Sequence, residues 1–202
     1  MDLKGFDHPG GPAGGGGTRS VKVMIAGGFG TGKTTMVRSV SDIKPLTTEE
    51  TLTQASADVD HLIGVADKTE TTVSLDFGKI SINDSLMLYL FGTPGQERFW
   101  FLWNGLFKGA LGAVVLVDTR RLASSFRAIE EMERQEVPFV IALNVFPDSK
   151  DHPIEEIRDA LDISPHTPVV VCDARDRASS RDVLITLMRH LKERSAVALE
   201  PR

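Results

Sequence analysis

The chain has 202 residues, the length of one α/β domain with room for a proper core. Its 41% hydrophobic and 25% charged residues are ordinary for a globular protein, and a formal net charge of −5 argues against a nucleic-acid polyanion as the main partner. The single cysteine, Cys172, excludes an internal disulfide and a multi-thiolate metal site and suits a reducing cytoplasm; it sits in a Val-rich run and reads as a buried strand residue.

No apolar run is long enough to span a bilayer. The start of the chain lacks an apolar signal core, Asp2 rules out myristoylation, and the final residues hold no cysteine to prenylate. Any membrane association is therefore expected through a partner.

Taken in order, residues 1–18 are Gly- and Pro-rich and read as a disordered leader. A single domain is expected over 19–198, with a short tail at 199–202. Val21 to Ala26 is a buried strand, and Thr35 to Val40 the first turns of a helix. Ser41 to Thr69 is polar, broken by Pro45 and Gly64, and reads as part helix and otherwise loop. A loop this long inside a compact domain is usually functional.

Thr71 to Ser81 alternates, with Val73, Leu75 and Phe77 on one face and Thr72, Ser74 and Asp76 on the other; this predicts a half-exposed strand with Asp76 outward. Asn83-Asp84 makes a turn into a buried strand, Ser85 to Phe91, which closes an antiparallel hairpin. Gln96 to Lys108 predicts an aromatic-rich helix, and Gly112 to Val117 a buried strand. Ala123 to Gln135 is a helix with Phe126, Ile129 and Met132 on its apolar face. Pro138 to Leu143 is a strand, and Pro153 to Leu161 a helix with Pro in its first turn. Pro168 to Cys172 is the last strand and Ser179 to Arg194 the closing helix. The expectation is an α/β fold built on a six-stranded, mostly parallel sheet with one antiparallel strand and helices on both faces.

The stretch that carries chemistry is Gly27-Gly28-Phe29-Gly30-Thr31-Gly32-Lys33-Thr34, with Thr35 following. It has the G-x-x-x-x-G-K-[ST] pattern between a strand and a helix, the setting in which that pattern means a phosphate-binding P-loop. The glycines Gly27, Gly28, Gly30 and Gly32 let backbone N–H groups turn inward around a phosphate, and the helix adds the positive end of its dipole. Lys33 is expected to reach the β- and γ-phosphates, the Thr34 hydroxyl to ligate Mg²⁺, and Thr31 and Thr35 to lie along the same anion. These residues predict binding of a nucleoside triphosphate or diphosphate.

Four further segments resemble parts of Ras-like small GTPases. Phe91-Gly92-Thr93-Pro94-Gly95-Gln96-Glu97-Arg98 is similar to the second switch; Gly95 matches the γ-phosphate-binding glycine, and Gln96 the residue that orients the attacking water. Thr71-Thr72-Val73-Ser74-Leu75-Asp76-Phe77 resembles the first switch, with Thr72 as the fitting metal and γ-phosphate ligand and Thr71 close behind. Asn144-Val145-Phe146-Pro147-Asp148 and Asp173-Ala174-Arg175 resemble the two guanine-reading loops. There Val145 stands in place of the usual Lys and Asp148 one residue late. Ala174 would donate its N–H to the guanine O6, and Arg175 could stack on the base.

Two departures stand out. Gly92 occupies the place of an Asp that holds Mg²⁺ through water, so the metal is expected to rest on Thr34, Thr72, phosphates and water, with weak retention and slow hydrolysis. No arginine precedes Thr72; Arg98, Arg120 and Arg121 would serve only if a loop swings, which points to help from a partner.

Together GGFGTGKT, TTVSLDFG, LFGTPGQERFWFLW and VVLVDTRRL resemble the Ras/MglA-like small GTPases of the actinobacterial conservon (CvnD) family. The resemblance implies a P-loop NTPase of small G-protein fold that binds GTP/GDP with Mg²⁺ and works as a bacterial signalling switch. It further implies a roadblock/light-chain-type regulator, a sensor-kinase-like membrane protein, and a cytoplasmic location from which partners could recruit the protein to the inner face of the cell membrane. Phe99, Trp100, Phe101, Trp103 and Phe107, more rings than one helix face can bury, suggest a partner surface in the second switch. Two rivals remain: a nucleotide-binding module with negligible hydrolysis, and an ATP-dependent P-loop kinase.

Overall fold

The structure, a computed structural model, describes residues 18–52, 71–95 and 103–198. In chain order these form β1 (Arg19–Ala26), α1 (Lys33–Val40), β2 (Leu46–Leu52), β3 (Thr71–Asn83), β4 (Leu86–Gly92), α2 (Trp103–Leu106), β5 (Ala110–Val117), α3 (Phe126–Arg134), β6 (Phe139–Asn144), α4 (Ile154–Ala160), β7 (Val169–Cys172) and α5 (Arg177–Ala198).

The strands form one sheet in the order β2-β3-β4-β1-β5-β6-β7. All neighbours are parallel except where β3 meets β2 and β4, so β3 alone runs against the rest. The six expected strands and the one antiparallel strand are all present. Leu46–Leu52 adds a seventh at the edge, paired from Leu46 opposite Phe77 to Leu52 opposite Thr71. The expectation of partial helix in this stretch is corrected over those residues. Thr47, Thr48 and Thr51, with no apolar 3.6 period around them, suit a polar edge strand, and β3 supplies the ladder partners a lone segment lacks.

The central strands are apolar on both faces, as parallel strands sandwiched by helices must be. On β1, Val23 and Ile25 face one layer while Met24 and Ala26 face the other. The first layer takes Met36, Val37 and Val40 of α1 and Val183, Leu184 and Leu187 of α5. The second takes Trp103 of α2, Ile129 and Met132 of α3 and Ile157 of α4. Cys172 is buried as expected, and burial with the neighbouring Asp173 charge pushes its thiol up to about 12.

At the β3–β4 turn the Asn83 side chain accepts the Ser85 N–H at 2.9 Å, the local bond that favours Asn there. Three expectations are corrected. Asp76 lies on the buried face of β3 with only 7% exposure, while Leu75 and Phe77 are half-buried on the other. Phe77 there packs on Tyr89 and Phe91. Phe126 is 46% exposed, because α3 begins only at that residue, after a 3-10 turn over Thr119–Ser125 kinked at Arg121. Trp103 and Phe107 are core residues packed edge-to-face, not partner surface; Phe99, Trp100 and Phe101 lie outside the described residues.

Candidate functional site

The loop between β1 and α1 lies at the C-terminal ends of the parallel strands, next to the ends of β4, β5 and β6. Open α/β sheets bind ligands in that crevice. Gly32 is the N-cap of α1 with φ of 102°. A Cβ there would stand 2.5 Å from Asn144 Nδ2, so glycine is required both for the backbone turn and for the close approach.

Lys33 curls back over its own loop and is nearly buried. Its Nζ donates to the carbonyls of Gly27 at 2.9 Å and Gly28 at 2.6 Å. Burial pushes the Lys33 ammonium down to about 8, with the Asp76 carboxylate opposing the shift. Thr31 is buried and its hydroxyl donates to the Gly28 carbonyl at 3.0 Å, closing the loop on itself. Thr35 is exposed on the first turn of α1.

The Thr34 hydroxyl donates to Asp76 Oδ2. Asp76 is opposite Gly92 in the β3–β4 ladder, and a Cβ added at Gly92 would meet Asp76 Cβ at 3.0 Å and Oδ2 at 3.3 Å. Gly92 therefore makes room for a carboxylate delivered from the neighbouring strand. The sequence by itself places only Thr34, Thr72, phosphates and water around the metal; the structure adds the Asp76 carboxylate beside Thr34. Periodicity hid Asp76, since an alternating polar residue reads as outward; a glycine at a strand end facing an Asp across the ladder was the available signal.

Gly95 follows at the end of β4, after Thr93 N–H donates to the Ile25 carbonyl at 2.9 Å. A Cβ at Gly95 would come within 2.7 Å of Lys33 Nζ and 2.9 Å of Phe29 Cα, so this glycine lies against the phosphate loop. Trp103 Nε1 donates to the Pro94 carbonyl at 3.3 Å and ties the segment to the core. Gln96 falls outside the described residues. Thr72 is placed by its backbone, in β3 opposite Thr51.

Asn144, at the end of β6, joins the phosphate loop to the last βα loop. Its Nδ2 donates to the Thr31 carbonyl at 3.0 Å, and its Oδ1 accepts the Ala174 N–H at 2.9 Å. The N–H expected for a guanine O6 is thus engaged within the protein here. Arg175 pairs with Asp173 through two bonds of 2.8 Å, and the Asp173 carboxyl is held below the usual carboxylate range by that guanidinium. Asp148 is not gathered into this cluster: its side chain is 88% exposed and faces Arg120 at 3.9 Å. Val145, beside Asn144, is 42% exposed and apolar, a flat rim residue.

Sequence reasoning also missed the 3-10 turn as a wall of the site. The Asp118 carboxylate is fully buried and bonds Arg120 and Arg121. Arg121 in turn donates to the Phe29 carbonyl at 3.2 Å, bracing the phosphate loop from outside.

What the site can do chemically follows from these parts. The glycine-rich loop, the buried Lys33 ammonium and the N-terminus of α1 lie together at this end of the sheet, the parts that suit a polyphosphate. Beside it stand a hydroxyl and a carboxylate, the oxygen donors a hard divalent cation takes.

Residues 25–194 match a sequence family described as "conserved hypothetical ATP binding protein". Uncharacterized protein MJ1339 of Methanocaldococcus jannaschii is 28% identical over 126 residues, 61% of this chain and 69% of that protein. Ras-related protein Rab-11C of Dictyostelium discoideum is 29% identical over 87 residues, 39% of each chain. Among solved structures, the cytosolic domain of the T. maritima FeoB iron transporter in a GDP form superposes with a TM-score of 0.61 at 16% identity, covering 86% of this chain and 64% of that one. The FeoB G-domain from Methanococcus jannaschii gives 0.58 at 12%, covering 87% and 99%. The present fold is the P-loop small G-protein fold.

Proposed function

The chain belongs to the family of conserved hypothetical ATP binding proteins, and we propose that within it this protein is a guanine-nucleotide switch that binds GTP and GDP and hydrolyses GTP slowly. The observation that carries the reading is Asn144. Its side chain bonds the phosphate loop at Thr31 to the Ala174 loop, which supports reading the two as the phosphate cradle and the base-reading segment of one site. The small-G-protein fold and the GDP form of its FeoB neighbour support guanine over adenine.

In the reaction, water attacks the γ-phosphorus as the bond to the β–γ bridging oxygen breaks, leaving GDP, phosphate and a proton. Lys33 steadies the developing charge on the phosphate oxygens, the Gly95 N–H marks the γ-phosphate, and Gln96 orients the water. Thr34 and Thr72 would hold Mg²⁺, with the Asp76 carboxylate behind the Thr34 hydroxyl, and the ion would neutralise phosphate charge when bound. Membership among conservon signalling GTPases, a roadblock-type regulator that supplies the missing catalytic help, a sensor-kinase-like membrane partner and a cytoplasmic location belong to the same proposal. No helix among the described residues is long and apolar enough to cross a membrane.

The competing reading is ATP binding, favoured by the family's description. Equilibrium titration of GTP, GDP and ATP with Mg²⁺ decides it. Guanine nucleotides are expected to bind at least about tenfold tighter, a difference of about 1.4 kcal/mol; equal or tighter ATP binding overturns the guanine assignment.

Lys33 makes nucleotide binding depend on pH. Free, it titrates at about 8; bound phosphates favour its charged form, so binding above that pH takes up a proton. Affinity is expected to be flat below about pH 8 and to fall up to about tenfold per unit above it. Calorimetry in two buffers of different ionisation enthalpy reads the proton directly, and no uptake at about pH 9 contradicts the assignment. For the nucleotide-free fold the sign is opposite. The unfolded chain binds the extra proton between about 8 and 10.5, so stability from this group is full above that window and is lost as pH falls through it.

A further inference from the structure

Away from the nucleotide site, an open groove of about 380 Å³ runs between the β3–β4 hairpin and α5. Its walls are apolar: Ile82 and Leu86 from the hairpin, and Leu184, Ile185 and Met188 from the helix. Ile82 is 40% exposed, and no described residue covers the groove. Arg181, Arg189 and Lys192 stand along its helix side, giving an apolar trough with a basic border.

The chain enters the described structure at the mouth of this groove. The Thr18 hydroxyl donates to the Asp84 carbonyl at 3.0 Å, and Arg19 is the ladder partner of Leu86, itself a groove residue. Seventeen residues precede that point. The last nine, Pro9 to Gly17, are nearly all glycine and proline and hold no large apolar side chain. The first eight, Met1-Asp2-Leu3-Lys4-Gly5-Phe6-Asp7-His8, carry three large apolar side chains, two carboxylates and one lysine.

The geometry points to the leader's own first residues as the occupant: Leu3 and Phe6 seat in the groove, with Asp2 and Asp7 toward its basic border. Three observations converge on this segment over other partners. Its tether ends beside a groove residue, Leu86. A Gly-rich link of nine residues reaches about 15–18 Å on average, enough to cross from the start of the central strand β1 onto the helix packed against that face. Its Leu3 and Phe6 complement the apolar trough, and its two aspartates, spaced either side of Lys4, can face the arginine and lysine of the border. Tethering also holds the segment at roughly millimolar effective concentration, so modest contacts suffice. The inference does not rest on the nucleotide assignment.

A paramagnetic label tests it on the full chain. A cysteine introduced as His8→Cys is labelled selectively, because Cys172 is buried and its thiol is pushed up to about 12. Methyl signals of Ile82, Ile185 and Met188 are expected to lose most of their intensity, while methyls on the α3–α4 face keep theirs. Adding Leu3→Ser and Phe6→Ser to the labelled chain should restore the groove signals without touching the folded domain. Even, weak broadening over the whole surface overturns the proposal and leaves a solvated tether. Broadening of an isotope-labelled chain by a separate spin-labelled one also overturns it, and makes a second copy the occupant.

Discussion

Asp76→Asn is expected to weaken the magnesium dependence of nucleotide retention by about 10–100-fold, the range for losing a partner just outside a metal's direct ligands. The substitution keeps the shape and one acceptor for the Thr34 hydroxyl and removes only the charge. Thermal stability should change little, which separates loss of metal grip from loss of fold. The readout is the off-rate of a fluorescent guanine nucleotide across a magnesium titration. Relocating the charge sharpens the test. Gly92→Asp alone crowds Asp76, whose Cβ would lie 3.0 Å from the new one, and sets two carboxylates side by side. Gly92→Asp combined with Asp76→Gly moves one carboxylate to the adjacent strand and should recover much of the magnesium response. This strongly non-additive pattern is the signature of two positions sharing one role. An unchanged magnesium profile for Asp76→Asn would remove the carboxylate from the metal's surroundings.

Gly32→Ala is the second large effect, acting through geometry alone. At φ of 102° any side chain is strained, and its Cβ would sit 2.5 Å from Asn144 Nδ2. The backbone cost is about 1–2 kcal/mol. Displacing Asn144 forfeits its bonds to Thr31 and Ala174 at about 0.5–1.5 kcal/mol each. The sum, about 2–5 kcal/mol, corresponds to a loss of up to roughly 1.5 to 3.5 orders of magnitude in nucleotide affinity, with a lowered melting temperature. In an Asn144→Ala background much of this penalty should vanish, because the clashing amide is gone. Equal penalties in both backgrounds would mean that Asn144 is not what Gly32 accommodates.

The small-G-protein fold and its phosphate loop were legible in the residues because each depends on short-range chemistry. Buried parallel strands such as β5 need unbroken apolar runs, here Ala113 to Val117. A phosphate loop needs glycines and Lys-Thr at set spacings, and Asn144 follows a strand end that its own apolar run announces. Nothing comparable announces β2, since a polar edge strand exists only because β3 offers it a ladder. The same holds for Phe126: its helix starts late because Asp118 and its two arginines hold the preceding turn.

Asp76 and Gly92 mark the boundary most clearly. Sixteen positions apart in the chain, each misleads when read singly, the one as a surface carboxylate and the other as a lost metal ligand. Local periodicity records which residues alternate, not which face of the β3–β4 hairpin turns toward the helix layer. That choice belongs to the packing of β3 and β4 against α1, where Thr34 finds the carboxylate that β4 itself does not carry.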